Sequence, residues 1–186
     1  MKQIFRMVLV LTLLGLISGL ALSLVSNYAD PLIEENKQEA IREAIYYVLQ
    51  STENYETEEV VDGNVVYRSF DSSDQLIGYA FTASGGGYQG TIRLMVGVGP
   101  NLEEIRGIQI LESSETPGLG GKIRGDDFKG QFRGLSAAGE IGMVKSKEPG
   151  KGEIQAITGA TISSKAVVNI INKELTRMRT ILSSGE

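Results

Sequence analysis

From Met7 to Val25 the chain reads MVLVLTLLGLISGLALSLV, a run without a single charged side chain. At about 1.5 Å of rise each, these roughly 19 residues reach close to the hydrocarbon thickness of a bilayer as a helix. The spacing predicts one transmembrane anchor. Lys2 and Arg6 precede the run, while Asp30, Glu34 and Glu35 follow it and Lys37 is the next cation. The excess of positive charge on the short N-terminal side predicts a cytoplasmic N-terminus, with residues beyond about 28 on the far side. A cleaved signal peptide is the competing reading. It requires a shorter apolar region ending in a small-residue site of the A-x-A type. Ser23-Leu24-Val25-Ser26 matches that poorly, so an uncleaved single-pass anchor in the lipid bilayer is the expectation. Gly15 and Gly19 stand in the G-x-x-x-G spacing that lets membrane helices approach, although glycine is common in such helices anyway.

What remains of the 186 residues suffices for one globular domain. The chain has no Cys, no His and no Trp. Disulfides, thiolate nucleophiles, cysteine-ligated clusters, His-based triads and the usual zinc sites are therefore excluded. Any redox chemistry must come from an organic cofactor. The net charge of −5 argues against a nucleic-acid surface, which needs a basic patch. No catalytic residue and no metal ligand suggests itself.

After the anchor, Pro31 can open a helix with Asp30 as its cap. Leu32, Ile33, Ala40, Ile41, Ala44, Ile45, Val48 and Leu49 recur at helical spacing, which predicts an amphipathic helix over 31–50. Ser51 to Asp62 is acidic and polar, an exposed loop or hairpin edge. Asn64–Phe70 and Leu76–Thr82 alternate around Asp71-Ser72-Ser73-Asp74, a natural turn. Thr91–Val98 and Glu104–Leu111 form a second pair around Gly99-Pro100-Asn101. With no helix-length crossover between them, these strands predict an antiparallel meander. Ser113–Gly121 reads as loop, Asp126–Phe132 as a short helix and Gly142–Lys145 as a further strand. Ser163–Leu182 is helical, with Ala166, Val167, Ile170, Ile171, Leu175, Met178 and Ile181 on one face. The fold class is thus α+β, an antiparallel sheet flanked by helices. The expected division is an anchor at 1–28, a connecting helix and acidic loop at 29–60, and a domain at 61–186.

Glycine is inflated, 23 of 186 residues against an average share of about 7%. Its clusters produce two false leads. Gly85-Gly86-Gly87-Tyr88-Gln89-Gly90 satisfies G-x-G-x-x-G, but a strand-like segment follows where a dinucleotide fold needs a helix. Gly120-Gly121-Lys122 resembles the tail of a phosphate loop, yet Ile123 stands where Ser or Thr should be.

Two other segments carry more. Thr158-Gly159-Ala160-Thr161-Ile162-Ser163-Ser164 lies where a loop enters the last helix. Small residues let a ligand approach the backbone, and a helix N-terminus offers unpaired N–H groups to an anion. A Thr hydroxyl there can bond to a phosphoryl group or be esterified by one. The same residues also read as a plain capping segment, with Thr161, Ser163 or Ser164 accepting a backbone N–H. Glu115-Thr116-Pro117-Gly118-Leu119-Gly120-Gly121-Lys122-Ile123 contains the Pro-Gly pair of a turn, and taken alone is a surface loop.

The first segment resembles the S/T-G-A-T motif of the FMN-binding domain family. The second resembles that family's E-T-P-G-L-G segment, which lies against the flavin ring. Gly87-Tyr88-x-Gly90 and Phe128-Lys129-Gly130-Gln131-Phe132 also look like this family. With the anchor, the resemblance covers nearly the whole chain and is closest to the G subunits of Rnf electron-transport complexes, more distantly to the C subunits of sodium-pumping NADH:quinone oxidoreductases. The resemblance implies FMN held as a phosphoester of Thr161 and installed by a flavin transferase that uses FAD. Ser163 is the nearest alternative hydroxyl. It implies a cofactor site of Thr158, Gly159, Ala160, Ile162 and Ser163 together with Glu115, Thr116, Pro117, Gly118, Leu119, Gly120, Lys122 and Tyr88. It further implies electron relay within an Rnf-type ferredoxin:NAD complex in the bacterial cytoplasmic membrane, beside other membrane and peripheral subunits, with the domain on the extracytoplasmic side. Gln155 stands where the family often has Asp. A membrane-tethered small-ligand or sensor domain without a redox role is the alternative.

Overall fold

The computed structural model describes residues 1–60 and 64–184. The chain divides into two compact units, Met1–Ala40 and Ile41–Glu186.

The first unit is helical, the larger part of α1 (Lys2–Val48). Within it an 18-residue window has a mean hydropathy of 2.6 with none of its surface buried. Side chains from Ile4 to Val25 are exposed, a surface that lipid solvates and water does not. The hydroxyl of Thr12, inside the apolar run, donates to the Val8 carbonyl at 2.9 Å, so it needs no water. α1 overturns the expectation of a helix beginning at Pro31, because it runs through that residue unbroken. Proline removes one N–H and leaves the Asn27 carbonyl without its usual donor. Pro31 lies past the apolar run, where water can take that carbonyl. Leu32 and Ile33, expected on the packed face, are exposed.

The second unit is built on a sheet. β1 (Asn54–Val60), β2 (Asn64–Phe70), β3 (Leu76–Gly86), β4 (Thr91–Val98), β5 (Glu104–Ser113) and β6 (Leu135–Ser136) follow one another in space as in sequence, each pair antiparallel. This is the expected meander. The acidic stretch Ser51–Asp62 supplies its edge strand, while its last residues, Val61 and Asp62, lie outside the described residues. Two short strands were not foreseen. β6 pairs through two residues only, and β8 (Glu153–Gln155) pairs in parallel with β7 (Gly142–Val144). Ladders of two or three residues are too short to show a period of two. α2 (Asp126–Lys129) and a 3-10 turn (Gly130–Phe132) occupy the segment read as a short helix.

The sheet buries both faces. Phe81, Leu94, Val96, Ile108 and Ile110 face the apolar side of α3 (Thr161–Ser184), where Val167, Ile171, Leu175 and Met178 are buried. Ala80 and Met95 point to the opposite face, which Ala44, Ile45, Val48 and Leu49 cover. β4 is therefore buried along nearly its whole length, as a strand between two layers must be. Close approach on the second side depends on glycine. Gly97 and Gly107 oppose each other across β4 and β5, and Val48 lies on them. A Cβ at Gly97 would meet Val48 Cγ2 at 2.8 Å. Beside this contact the Tyr47 hydroxyl donates to Asp126 Oδ1 at 3.3 Å, and Lys129 Nζ lies 4.6 Å from the Tyr47 ring centre.

Candidate functional site

β5 hands the chain to a turn whose shape its residues dictate. The Leu119 N–H donates to the Thr116 carbonyl at 3.2 Å, with Pro117 and Gly118 between them. Gly118 has φ +78°, which only glycine adopts at low cost at the third position of a type II turn. The same device recurs before α3. The Ala160 N–H donates to the Ile157 carbonyl at 2.9 Å across Thr158 and Gly159, and Gly159 has φ +81°.

Between these two turns lies an open cleft of about 430 Å³. From the first segment Glu115, Thr116, Leu119 and Gly120 line it; from the second, Gly159, Ala160, Thr161, Ile162 and Ser163; and Tyr88 closes a third side. Ten of the residues that the sequence nominates thus meet in one place. Four do not line it. Pro117, Gly118 and Thr158 occupy exposed turn positions, and Lys122 is exposed on the 3-10 turn Gly120–Arg124. Gln155 is exposed as well. Its backbone exchanges hydrogen bonds with the Gln131 side chain, accepting at 3.3 Å and donating at 2.7 Å.

α3 begins at Thr161, two residues earlier than the periodicity predicts, because the Ser164 N–H already donates to the Ala160 carbonyl at 2.9 Å. Ser164 ties the preceding loop to the helix rather than capping its first turn. Its hydroxyl donates to the Ala160 carbonyl at 3.0 Å and accepts from the Ile157 N–H at 3.1 Å. Among the described residues neither Thr161 Oγ1 nor the backbone N–H groups of Thr161, Ile162 and Ser163 have a protein partner. A free hydroxyl and three free donors at the positive end of a long helix form a seat for a phosphate.

Glu115 joins the three sides. Ser163 Oγ donates to its Oε2 at 2.5 Å, and the N–H groups of Tyr88 and Gln89 donate to its Oε1 at 2.7 and 3.0 Å. Burial pushes the carboxyl toward neutrality. The donors from Ser163 and from the Gln89, Tyr88 and Gly90 backbone outweigh it and hold the group below the usual carboxylate range. Gln89 was not singled out by sequence reasoning, since a backbone donor leaves no mark on residue type. The glycines on either side of Tyr88-Gln89 were the available signal.

Leu119, Ile162 and Tyr88, at the mouth, are among the most exposed large apolar side chains of the second unit. The cleft therefore offers anion donors at its helix end and apolar surface at its rim, which suits a ligand with a phosphate at one end and a flat ring at the other.

Comparison with known proteins agrees with this geometry. Residues 87–176 match the family model described as FMN-binding domain. The G subunit of the ion-translocating oxidoreductase complex of Methanosarcina acetivorans is 32% identical over 92% of this chain and 92% of its own. The G subunit of the Na(+)-translocating ferredoxin:NAD(+) oxidoreductase complex of Acetobacterium woodii is 31% identical over 94% of this chain and 91% of its own. The crystal structure of NqrC from Shewanella oneidensis superposes with a TM-score of 0.53 at 21% identity, over 66% of this chain and 64% of that one, a likeness of fold. On the family match and on similarity along nearly the full length of these relatives, the chain belongs to the FMN-binding domain family, among the G subunits of ion-translocating oxidoreductase complexes.

Proposed function

We propose that the chain is a membrane-anchored electron-transfer subunit of an Rnf-type ferredoxin:NAD oxidoreductase complex coupled to ion translocation, carrying FMN as a phosphoester of Thr161. The observation that carries this reading is the convergence of Glu115–Gly120 and Gly159–Ser163 on the open N-terminus of α3, with the Thr161 hydroxyl unpartnered there. Thr161 Oγ1 supplies the attachment atom. The N–H groups of the first helical turn hold the remaining phosphate charge. Leu119, Ile162 and Tyr88 cover the ring. Lys122 does not line the cleft, which leaves backbone N–H groups of the Thr116–Gly120 turn as the donors for the ring's polar edge. Bound FMN supplies electron-transfer chemistry that side chains lacking thiols do not.

The anchor contributes tethering. Its apolar run holds no ionisable residue, so the ion must move through other subunits. The charge asymmetry about the run supports a cytoplasmic N-terminus and an extracytoplasmic domain. A covalent bond suits that side of the membrane, where cytoplasmic FMN cannot refill an empty site. A flavin transferase is the further partner that the bond requires.

The test is the intact mass of protein from its native host, followed by peptide mapping. An added mass of FMN less water on the Thr161 peptide is expected; a bare peptide, or flavin released by acid, refutes the phosphoester. Because the chain has no Cys, Ser72→Cys on the exposed β2–β3 turn reports sidedness. Labelling of intact cells or spheroplasts by an impermeant maleimide is expected, and protection until lysis refutes the orientation.

A further inference from the structure

Thr161 and Ser163 both bring a hydroxyl to the first turn of α3, yet they meet the cleft differently. Thr161 is half-buried and its oxygen has no protein partner among the described residues. Ser163 is 3% exposed, and its one proton is committed to Glu115 Oε2 at 2.5 Å. Glu115 is itself only 6% exposed and is fixed from the other side by the Tyr88 and Gln89 N–H groups. Gly120 completes the enclosure, for a methyl group there would collide with both Glu115 Oε2 and Ser163 Oγ. The network is closed, and Thr161 stands outside it.

We infer that Glu115 is a positioning residue that directs flavin attachment to Thr161 by holding the Ser163 hydroxyl out of reach of the transfer. The inference rests on the attachment proposed above. In that step Thr161 Oγ1 forms a bond to the flavin-side phosphorus of FAD. The pyrophosphate bond breaks, AMP leaves with the bonding electron pair, and the threonine proton passes to the transferase or to solvent. Ser163 would have to perform the same attack while giving up a hydrogen bond to a buried charge, from a side chain only 3% exposed.

A carboxylate beside a serine can also activate it by taking its proton. Two features oppose that role here. The backbone donors on Oε1 stabilise the charged carboxylate and make it a weak base. Burial of Ser163 then denies the activated oxygen a reaction partner.

The experiment maps flavin-bearing peptides of the full-length chain from cells that make the transferase. Thr161→Ala leaves the network intact and is expected to lose covalent flavin altogether. Flavin on Ser163 in that variant overturns the inference. Glu115→Gln keeps an acceptor for Tyr88 and Gln89 but offers Ser163 an amide donor in place of a carboxylate oxygen. It is expected to give a mixed product, labelled at Thr161 or Ser163, which returns to Thr161 alone in the Glu115→Gln/Ser163→Ala double variant. A single product at Thr161 in Glu115→Gln overturns the inference equally. A role in folding alone would lower the yield without changing which peptide is labelled, so the ratio of the two peptides is the readout. If Glu115→Gln fails to fold, Thr161→Ala still decides. Wild-type protein separates the two claims: a bare Thr161 there brings down the attachment itself, whereas a labelled Thr161 with label on Ser163 in Thr161→Ala brings down only the role of Glu115.

Discussion

α1 and α3 are both long and rich in apolar side chains, and they obey opposite rules. Along α1 the apolar residues from Ile4 to Val25 encircle the helix and none is buried, Leu16 being 66% exposed. Along α3 they keep to one side after Ile162, and Ile171 is 0% exposed against the sheet. A helix apolar all round has no polar face to show to water and needs lipid as its solvent. A helix apolar on one stripe needs a protein surface. Hydrophobicity sets how strongly each is driven from water; its arrangement around the axis decides where each goes.

The largest effects should follow that division. Ile171→Ala empties a packed site and is expected to cost about 2–5 kcal/mol of domain stability, read as a lower denaturation midpoint. Leu16→Ala should leave the same midpoint unchanged. Leu16→Arg, by contrast, puts a charge near the centre of the apolar run, where insertion is disfavoured by about 2.5–3.5 kcal/mol. Its mark should be chain lost from the membrane fraction, with the domain's melting unaltered. A midpoint that falls equally for Ile171→Ala and Leu16→Ala would erase the distinction between the helices.

The last turns of α1 form an intermediate case, for Ala44, Ile45 and Val48 are buried on the sheet face opposite α3. Their fit is steric. Gly97→Ala forces a methyl group to 2.8 Å from Val48 Cγ2 and 2.9 Å from the Val48 carbonyl. Overpacking of this kind costs about 1–3 kcal/mol, and thermal melts of the variant measure it. No change in melting would mean that Val48 is free to move away and that this end of the helix is loosely seated.

How much of this could be read from residues alone follows the same physical lines. The anchor, β2 to β5 and α3 declared themselves, because each repeats one pattern over seven residues or more, whereas β1 read as a loop or hairpin edge. Pro31 misled, since local preference puts proline at a helix start while the structure carries α1 straight through it. β6 and β8 stayed hidden because so short a ladder depends on tertiary placement rather than on sequence. At the cleft, Thr161 and Glu115 were visible through the motifs that contain them. The link from Ser163 to Glu115 was not, because it joins residues far apart in the chain and only the folded sheet brings them together. The free state of Thr161 was equally hidden, since a threonine at a helix start reads first as a cap, whereas among the described residues its hydroxyl meets no protein partner.

The smallest expected effect separates the two seats on the sheet by pH. On Gly97 and Gly107 the end of α1 rests through the Val48 side chain and backbone, which hold no carboxylate, whereas the first turn of α3 is held through one. Burial raises the Glu115 pKa, but the Ser163 and backbone donors lower it further, so the folded value lies below that of the unfolded chain. The sign follows from linkage. A carboxyl with a depressed folded pKa binds fewer protons when folded, so its contribution is complete above the ordinary carboxylate range and disappears as pH falls through the folded value. Melting of wild type and of Glu115→Gln should therefore differ at neutral pH and converge in acid, because a protonated Glu115 and a glutamine both meet Ser163 without charge. Asp126, which the Lys129 hydrogen bond holds below its ordinary value beside Tyr47, titrates in both proteins and drops out of the difference. A gap between the two melting curves that persists unchanged into acid would show that glutamine fails by shape rather than by charge. The hold on α3 would then be as steric as the seat of Val48.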